Sequence, residues 1–469
     1  MTAKWKGWTV AVVDEPAMRM MSSVMGMYDL MEQRVTLVES ITKKRAPFHE
    51  MAVLYVVAPT EENINEIIDD FMPTQGKKQP LYGPAVFIYF LSQLPDALFA
   101  KLKTCQPLIK RMKALGEINA DFIAKENRAF SFDMKTSLPD LFQRQGVFTL
   151  THFNIVQKLV TVCATLNEYP HIRYPANSEL CRSLAEAFHN KMNEYVAAVP
   201  TWWYYGMHGH MERDRSTLLL LDRSLDPLSP LMHEFTYQAM VNDLLPIEDD
   251  KISYKSETVV SKEGESQMEA VQKDVLLNDN DELWVELRIR HIADVIQTLS
   301  SRIREVVDSD TGAKLAKDSG RSMTLSQMAS ALKQLPEYQE VMSKLSQHMY
   351  ISHQCMAAFN KQGLLELAEL EQTLATGQTE EGRTPKTSEL VEQVENRLRS
   401  LSREQALRLL STFIVSQNGT SAAVRNRLFA AAKVTPEEER TLRNFAMLGV
   451  SLNEPVVTSG AERMKSLLG

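Results

Sequence analysis

The sequence predicts a chain that is α/β up to about residue 250 and almost all helix beyond it. Three observations carry this. Short apolar runs such as AVLYVV (52–57) and AVFIYF (85–90) alternate with amphipathic stretches, the pattern of a doubly wound parallel sheet. Four leucines at 218–221 lead into a polar turn and then a helical phase, the form of a βα unit with a buried strand. From residue 282 onward, apolar residues recur at steps of three and four over long spans.

Taken in order, residues 8–13 form a strand that stops on Asp14, and 18–31 have helical character. Strands follow at 35–38 and 52–57, then a short helix at 64–71. A strand at 85–90 precedes helices at 95–103 and about 106–115, and a weak strand at 121–124 closes the set. Such sheets gather ligands at the carboxyl ends of their strands, where Asp14 lies. Helices at 152–166 and 179–196 follow, then a loop with Trp202, Trp203, His208 and His210. The only clear strand from 136 to 250 is 218–221, and one strand cannot make a sheet, so this part reads as incomplete by itself. After 218–221, Leu231, Phe235, Ala239, Met240 and Leu244 mark a helix. One helix is expected over 282–307 and others at 325–335 and 338–351, with Pro336 as a break or kink between them. A polar linker at 376–388 leads to helices at 388–401, 403–416, 420–432 and 436–447, and then to a frayed tail.

The 469 residues are 44% hydrophobic and 24% charged, which fits a globular chain of about three domains. A net charge of −8 argues against a nucleic-acid or anionic-membrane binder, while leaving room for a local basic patch. Four scattered cysteines read as reduced thiols of a cytosolic protein. No apolar run approaches the roughly 18 residues of a membrane span, and the amino terminus is no signal peptide.

The stretch 216–247 crowds Asp222, Arg223, Asp226 and His233 beside the leucine run. Unpaired charges are costly there, so these groups pair with each other or with backbone, or they serve a site. The spacing of Asp222 and Asp226 does not fit aspartyl-phosphate chemistry, which needs two Asp separated by one residue. No phosphate-cradling glycine loop, GxSxG elbow or HExxH is present, and His208 and His210 have no ligand partners nearby. No cofactor is expected. Among 24 methionines, Met18, Met20, Met21, Met25 and Met27 form a candidate adaptable contact surface.

The stretch LLLLDRSLDPLSPLMHEFTYQAMVNDLLPI resembles the signature of the SM (Sec/Munc) family of syntaxin-binding proteins. VVDEPAMRMMSSVMGMYDLM, KKRAPFHEMAVLYVVAPTEENINEIIDDF, LPDALFAKLK, CATLNEYPHIRY, DNDELWVELRIRHIADV and LKQLPEYQEVMSKLSQHMYISHQCM agree with it in order. The resemblance spans essentially the whole chain and is nearest the exocytic branch. It implies a non-enzymatic, cytosolic regulator of SNARE-driven vesicle fusion, held at the plasma membrane or fusion sites only through syntaxin. The implied architecture is an arch of three domains: domain 1 at 1–135, the first part of domain 2 at 136–250, and helical domain 3 at 251–375 and 376–469. A central cleft would hold syntaxin as a closed four-helix bundle.

Asp14, Met18, Arg19 and Glu39 match family positions that contact closed syntaxin. Taken alone, Asp14 and Arg19 read equally well as a strand-end ion pair. Gly26 and Ala46 depart from the family, standing where a basic residue and an acid are expected. Phe99, Leu115 and Glu117 match the apolar pocket and acidic rim that receive the syntaxin N-terminal peptide, although Phe99 also reads as core. Pro336 and Met349 match a helical hairpin that contacts the assembling SNARE complex and the vesicle SNARE. The family also completes domain 2 with elements that follow domain 3, so a longer natural protein is expected. With the family in view, Asp222, Arg223, Asp226 and His233 read as a structural signature. The alternatives are a doubly wound enzyme using Asp14 or Asp222 with a metal, or a helical scaffold for non-SNARE partners.

Overall fold

The computed structural model describes residues 5–72, 79–142, 147–207, 213–248, 251–262, 265–308 and 336–453. The helix expected at 325–335, the residues His208 and His210, and the tail beyond residue 453 lie outside these. The chain separates into two compact units, Met1–Asp222 and Arg223–Gly469.

The first unit is built on β1 (Thr9–Val13), α1 (Glu15–Val24), α2 (Met27–Glu32), β2 (Val35–Ser40), β3 (Ala52–Val57) and α3 (Glu61–Phe71). It continues with β4 (Val86–Phe90), α4 (Asp96–Lys103), α5 (Gln106–Ile109) and β5 (Met112–Glu117). The five strands form one parallel sheet in the order β2-β1-β3-β4-β5. Every residue of β1 and β3 is buried, because successive side chains enter two covered faces. Val53, Tyr55 and Val57 pack on Ile64, Ile67 and Phe71 of α3, whereas Ala52, Leu54 and Val56 pack on Ala17 and Met21 of α1. Each buried aliphatic side chain contributes about 1.5–3 kcal/mol. Inside one layer Arg45 holds Asp70 bidentately at 2.8 and 2.9 Å, and the Tyr55 hydroxyl donates to the same carboxylate at 2.6 Å.

Two expectations fail here. The helix expected over 106–115 is a single turn, α5, followed by the edge strand β5. Pro107 sits in the first turn of α5, and the exposed side of β4 takes Met112 to Glu117 as a fifth strand instead. The strand expected to close the sheet pairs elsewhere: β6 (Ile123–Glu126) makes an antiparallel hairpin with β7 (Ala129–Ser131).

After α6 (Ser137–Phe142), α7 (Leu150–Leu166) and α8 (Glu179–Ala198) bury Val156, Val160, Cys163, Phe188 and Met192 together. β8 (His171–Arg173) lies before α8 and pairs in parallel with β9 (Thr217–Leu219). The leucine run is therefore in a parallel pair as expected, but it is not a buried strand. Leu219 and Leu221 are 58% and 60% exposed, because no further strand covers β9 among the described residues.

The second unit is not all helix. After α9 (Tyr237–Leu244), β10 (Ile247–Glu248) leads to a long antiparallel hairpin of β11 (Lys251–Lys262) and β12 (Glu265–Leu276). Leu231 and Phe235 precede α9, Leu231 closing a 3-10 turn at Ser229–Leu231. The helix expected over 282–307 is two, α10 (Glu282–Leu287) and α11 (Ile292–Asp308). Between them the carbonyls of Arg288 and Arg290 accept the amides of Gln238 and Tyr237, so the break satisfies the free N–H groups at the start of α9. Tyr237, Trp284, Leu287, Val295, Leu299 and Ile351 share one core. A second core joins the helices Leu364–Thr376, Thr387–Leu398, Arg403–Gln417 and Ala422–Ala431 through Leu367, Val394, Leu409 and Leu428.

Candidate functional site

In the first sheet the strand order reverses between β1 and β3, and a ligand crevice is expected at their carboxyl ends. Asp14 fills it. Its Oδ1 caps α1 by accepting the Ala17 amide at 2.9 Å. Its Oδ2 accepts the Ala58 amide at 2.7 Å and Asn63 Nδ2 at 2.8 Å. The residue is 6% exposed, so its carboxylate binds the ends of β1 and β3 to α3. Arg19 pairs with Asp133, beyond β7. Glu39 is half-buried and accepts the Tyr82 hydroxyl at 3.1 Å. Met18 is half-buried against the α1 side of the sheet.

The methionine surface is narrower than expected. Met21 belongs to the core, and Met18, Met20 and Met25 pack against it. Exposed apolar side chains instead lie at the end of α1, on α2 and on the β2 edge beside it: Val24, Met27, Tyr28, Met31 and Leu37. Tyr28 is 73% exposed.

Phe99, Leu115 and Glu117 converge on one groove of about 540 Å³. α4 supplies Phe99, β5 supplies Leu115 and Glu117, and the end of α8 supplies Tyr195 and Val199. Leu98, not Phe99, packs into the sheet core, which leaves the Phe99 ring to the groove. Lys103 Nζ stands 3.9 Å from the centre of that ring. Glu117 accepts the Leu94 amide at 2.8 Å through one oxygen. Asn119 donates to the Tyr195 hydroxyl at 3.2 Å. Burial first, and then the Glu117 charge, raise the pKa of that hydroxyl. The α8 contribution was not foreseen. Tyr195 and Val199 lie about 80 residues from Glu117 in sequence, and no local pattern links them.

In the second unit Pro336 is the first residue of the helix Pro336–Gln362, a position that tolerates proline. Met349 is half-buried against the core around Trp284. Its neighbour His348 is fully buried, with Nδ1 3.0 Å from the Tyr237 hydroxyl and Nε2 3.0 Å from Asp281.

The four signature residues are each held locally or by their own unit. Asp222 accepts the hydroxyl of Ser178, the N-cap of α8. Arg223 donates to the Asp226 carbonyl at 3.1 Å. Asp226 accepts the amides of Leu228 and Ser229, and hydrogen bonds from Ser229 hold its pKa low. His233 donates its amide to Glu371 at 2.9 Å and places Nδ1 3.0 Å from that buried carboxylate. Arg408 grips the same segment through the carbonyls of Leu231 and Met232. Among the described residues, no group of three or more His, Cys, Asp or Glu is placed to hold a metal ion. None of their helices is long and apolar enough to cross a membrane.

The Sec1 family pattern matches residues 10–462. The chain is 35% identical to Protein transport protein sec1 of Dictyostelium discoideum, over 95% of its own length and 71% of that relative. It is 31% identical to SNARE-interacting protein KEULE of Arabidopsis thaliana, over 98% of its length and 67% of the relative. The solved Unc18–syntaxin 1 complex from Monosiga brevicollis superposes with a TM-score of 0.80 at 29% identity, covering 97% of this chain and 78% of that one. The chain belongs to the Sec1 family, the SM proteins.

Proposed function

We propose that this chain binds syntaxin-type SNAREs and regulates SNARE assembly in vesicle fusion and exocytosis, acting by binding and not by catalysis. The observation that carries the reading is the convergence of Phe99, Leu115 and Glu117 on one open groove of mixed apolar and polar lining with an acidic rim. Phe99 meets Leu115 and Glu117 there, 16 and 18 positions away in sequence, in the combination suited to an extended peptide. The relatives named for protein transport and SNARE interaction, and the match to a syntaxin complex, support it.

In this reading the groove takes the N-terminal peptide of syntaxin. Met18, Arg19 and Glu39, with the exposed face of α2, meet closed syntaxin, and Asp14 braces that surface from beneath. Arg19 reaches a partner carboxylate by leaving Asp133. The helix that begins at Pro336 and carries Met349 serves the assembling SNARE complex and the vesicle SNARE. The protein is cytoplasmic and peripheral, and reaches membranes through syntaxin. Preferential binding of one syntaxin conformation shifts its population, which gates assembly without chemistry.

Size-exclusion chromatography with the cytoplasmic domains of a panel of syntaxins, each with and without its N-terminal peptide, tests the reading. Co-elution with at least one is expected, and failure across the panel sinks it. Pro336→Ala is expected to raise vesicle-SNARE capture in a pull-down, because without proline the helix can extend past its first residue and lengthen the contact. Unchanged capture counts against a role for Pro336.

A further inference from the structure

Residues 97–116 contain Lys101, Lys103, Lys110, Arg111 and Lys113 and no acid, in a chain of net charge −8. Two of these are used internally. Lys101 pairs with Glu61 at 2.7 Å, and Arg111 donates to the Pro107 carbonyl at 2.8 Å. Lys103, Lys110 and Lys113 are exposed. Lys103 is already joined to the groove through the Phe99 ring. Lys113 is the extra residue of a bulge in β5, between Met112 and Ala114, and projects to solvent two positions before Leu115.

The charges are ordered along the groove. β4 and β5 are parallel, and α4 returns from the carboxyl end of β4 toward the start of β5. Asp96, at the start of α4, and Glu117, at the end of β5, therefore share one end. Lys103, at the end of α4, and Lys110 and Lys113, at the start of β5, share the other. The eight residues of α4 separate the two ends by about 12 Å, or about four extended residues.

We propose that the groove reads a peptide of fixed polarity, whose chain continues past its apolar anchor as an acidic run laid on Lys103, Lys110 and Lys113. The inference rests on the groove being a peptide site. It adds a requirement on the partner: acids beginning about four residues beyond the anchor. A membrane of anionic lipid is the competing occupant of three exposed lysines. Their attachment to both groove walls, with Ile109 the one exposed large apolar side chain in residues 97–116, favours the peptide.

The test uses two synthetic peptides that share the N-terminal segment of a syntaxin that co-elutes with the chain. One carries four Asp past the anchor and the other four Asn, and binding is read by fluorescence anisotropy. The Asp peptide is expected to bind about fivefold tighter at about 0.1 M salt. That advantage disappears in Lys110→Gln/Lys113→Gln, a double variant of exposed side chains whose melting temperature stays unchanged. Equal affinity of the two peptides for the wild-type chain overturns the inference. Failure of both to bind removes the groove reading and this one with it. Phosphatidylcholine vesicles with and without phosphatidylserine form the last arm. Capture by the anionic vesicles that the double variant abolishes, alongside equal peptide affinities, assigns the lysines to a membrane and overturns the proposal.

Discussion

Two places on the first sheet invite a ligand, and the chain treats them in opposite ways. At the carboxyl ends of β1 and β3, Asp14 accepts hydrogen bonds from Ala17, Ala58 and Asn63, and both its oxygens are taken. At the β5 edge, Glu117 gives one oxygen to the Leu94 amide and lines an open groove with Phe99 and Leu115. The same doubly wound sheet has the carboxylate at its usual ligand position fully engaged and one two strands away, at the edge, partly open. Whether a carboxylate is structural or available thus depends on how many donors of its own chain reach it, not on its place at a strand end.

The sharpest way to break this contrast is at Asp14. Asp14→Ala takes the acceptor from the Ala17 and Ala58 amides and leaves Asn63 Nδ2 only its bond to the Ala58 carbonyl, and it is expected to cost about 3 kcal/mol or more in urea unfolding. Peptide affinity of the protein that remains folded should be unchanged. A stable variant that no longer binds peptide would reverse the assignment.

Phe99→Ala is the counterpart at the groove. It is expected to lose about 2 kcal/mol of peptide binding, near thirtyfold, with little change in melting temperature because Leu98 carries the core packing. A large drop in stability with intact binding would make Phe99 a core residue.

Asp281 sharpens the comparison from the second unit, because it repeats the Asp14 arrangement. It caps α10 through the Leu283 and Trp284 amides at 3.0 and 3.1 Å and holds His348 with its other oxygen. Burial alone would raise its pKa, but His348 and the two amides outweigh it and hold the group below its ordinary value. A depressed folded-state pKa stabilises the protein fully above the unfolded value near 3.9, and the effect fades as pH falls below it. Asp281→Asn is therefore expected to lower stability by about 1 kcal/mol at neutral pH and to flatten the loss of melting temperature below about pH 4. An acid limb identical to wild type would show that the carboxylate contributes nothing as an ion.

The smallest effect belongs to Arg223. Its hydrogen bond to the Asp226 carbonyl is exposed, so Arg223→Ala should change stability by less than about 0.5 kcal/mol and leave syntaxin binding intact. Loss of binding at constant melting temperature would move the signature stretch from scaffold to interface.

How much of this could be read beforehand follows the range of the forces involved. β1, β3 and β4 were legible because strands buried on two faces must be continuously apolar. β5 was not: as an edge strand it mixes Met112, Lys113, Ala114 and Leu115, which also suits a helix. The β11–β12 hairpin was hidden because most of its strands' residues are polar or charged. At the groove, Phe99, Leu115 and Glu117 were named from a motif. Tyr195 and Val199 were not, since only the folded chain brings α8 to β5. Asp133 escaped notice as the partner of Arg19 for the same reason, 114 residues away. The charges of 216–247 were expected to pair among themselves or with backbone. Arg223 and Asp226 do so, but Asp222 and His233 are held by Ser178 and Glu371, side chains outside the stretch.

The break between α10 and α11 bears on how the second unit comes apart. The first amides of α9 are bonded to the carbonyls of Arg288 and Arg290, so opening that corner strips the amino-terminal turn of α9 of its protein acceptors. The three helices then form one cooperative block, exchanging their amide protons in a single step. Tyr237 and Gln238, although at a helix terminus where fraying is usual, should be as slow to exchange as the core of α11. Fast exchange at those two amides would separate α9 from the block.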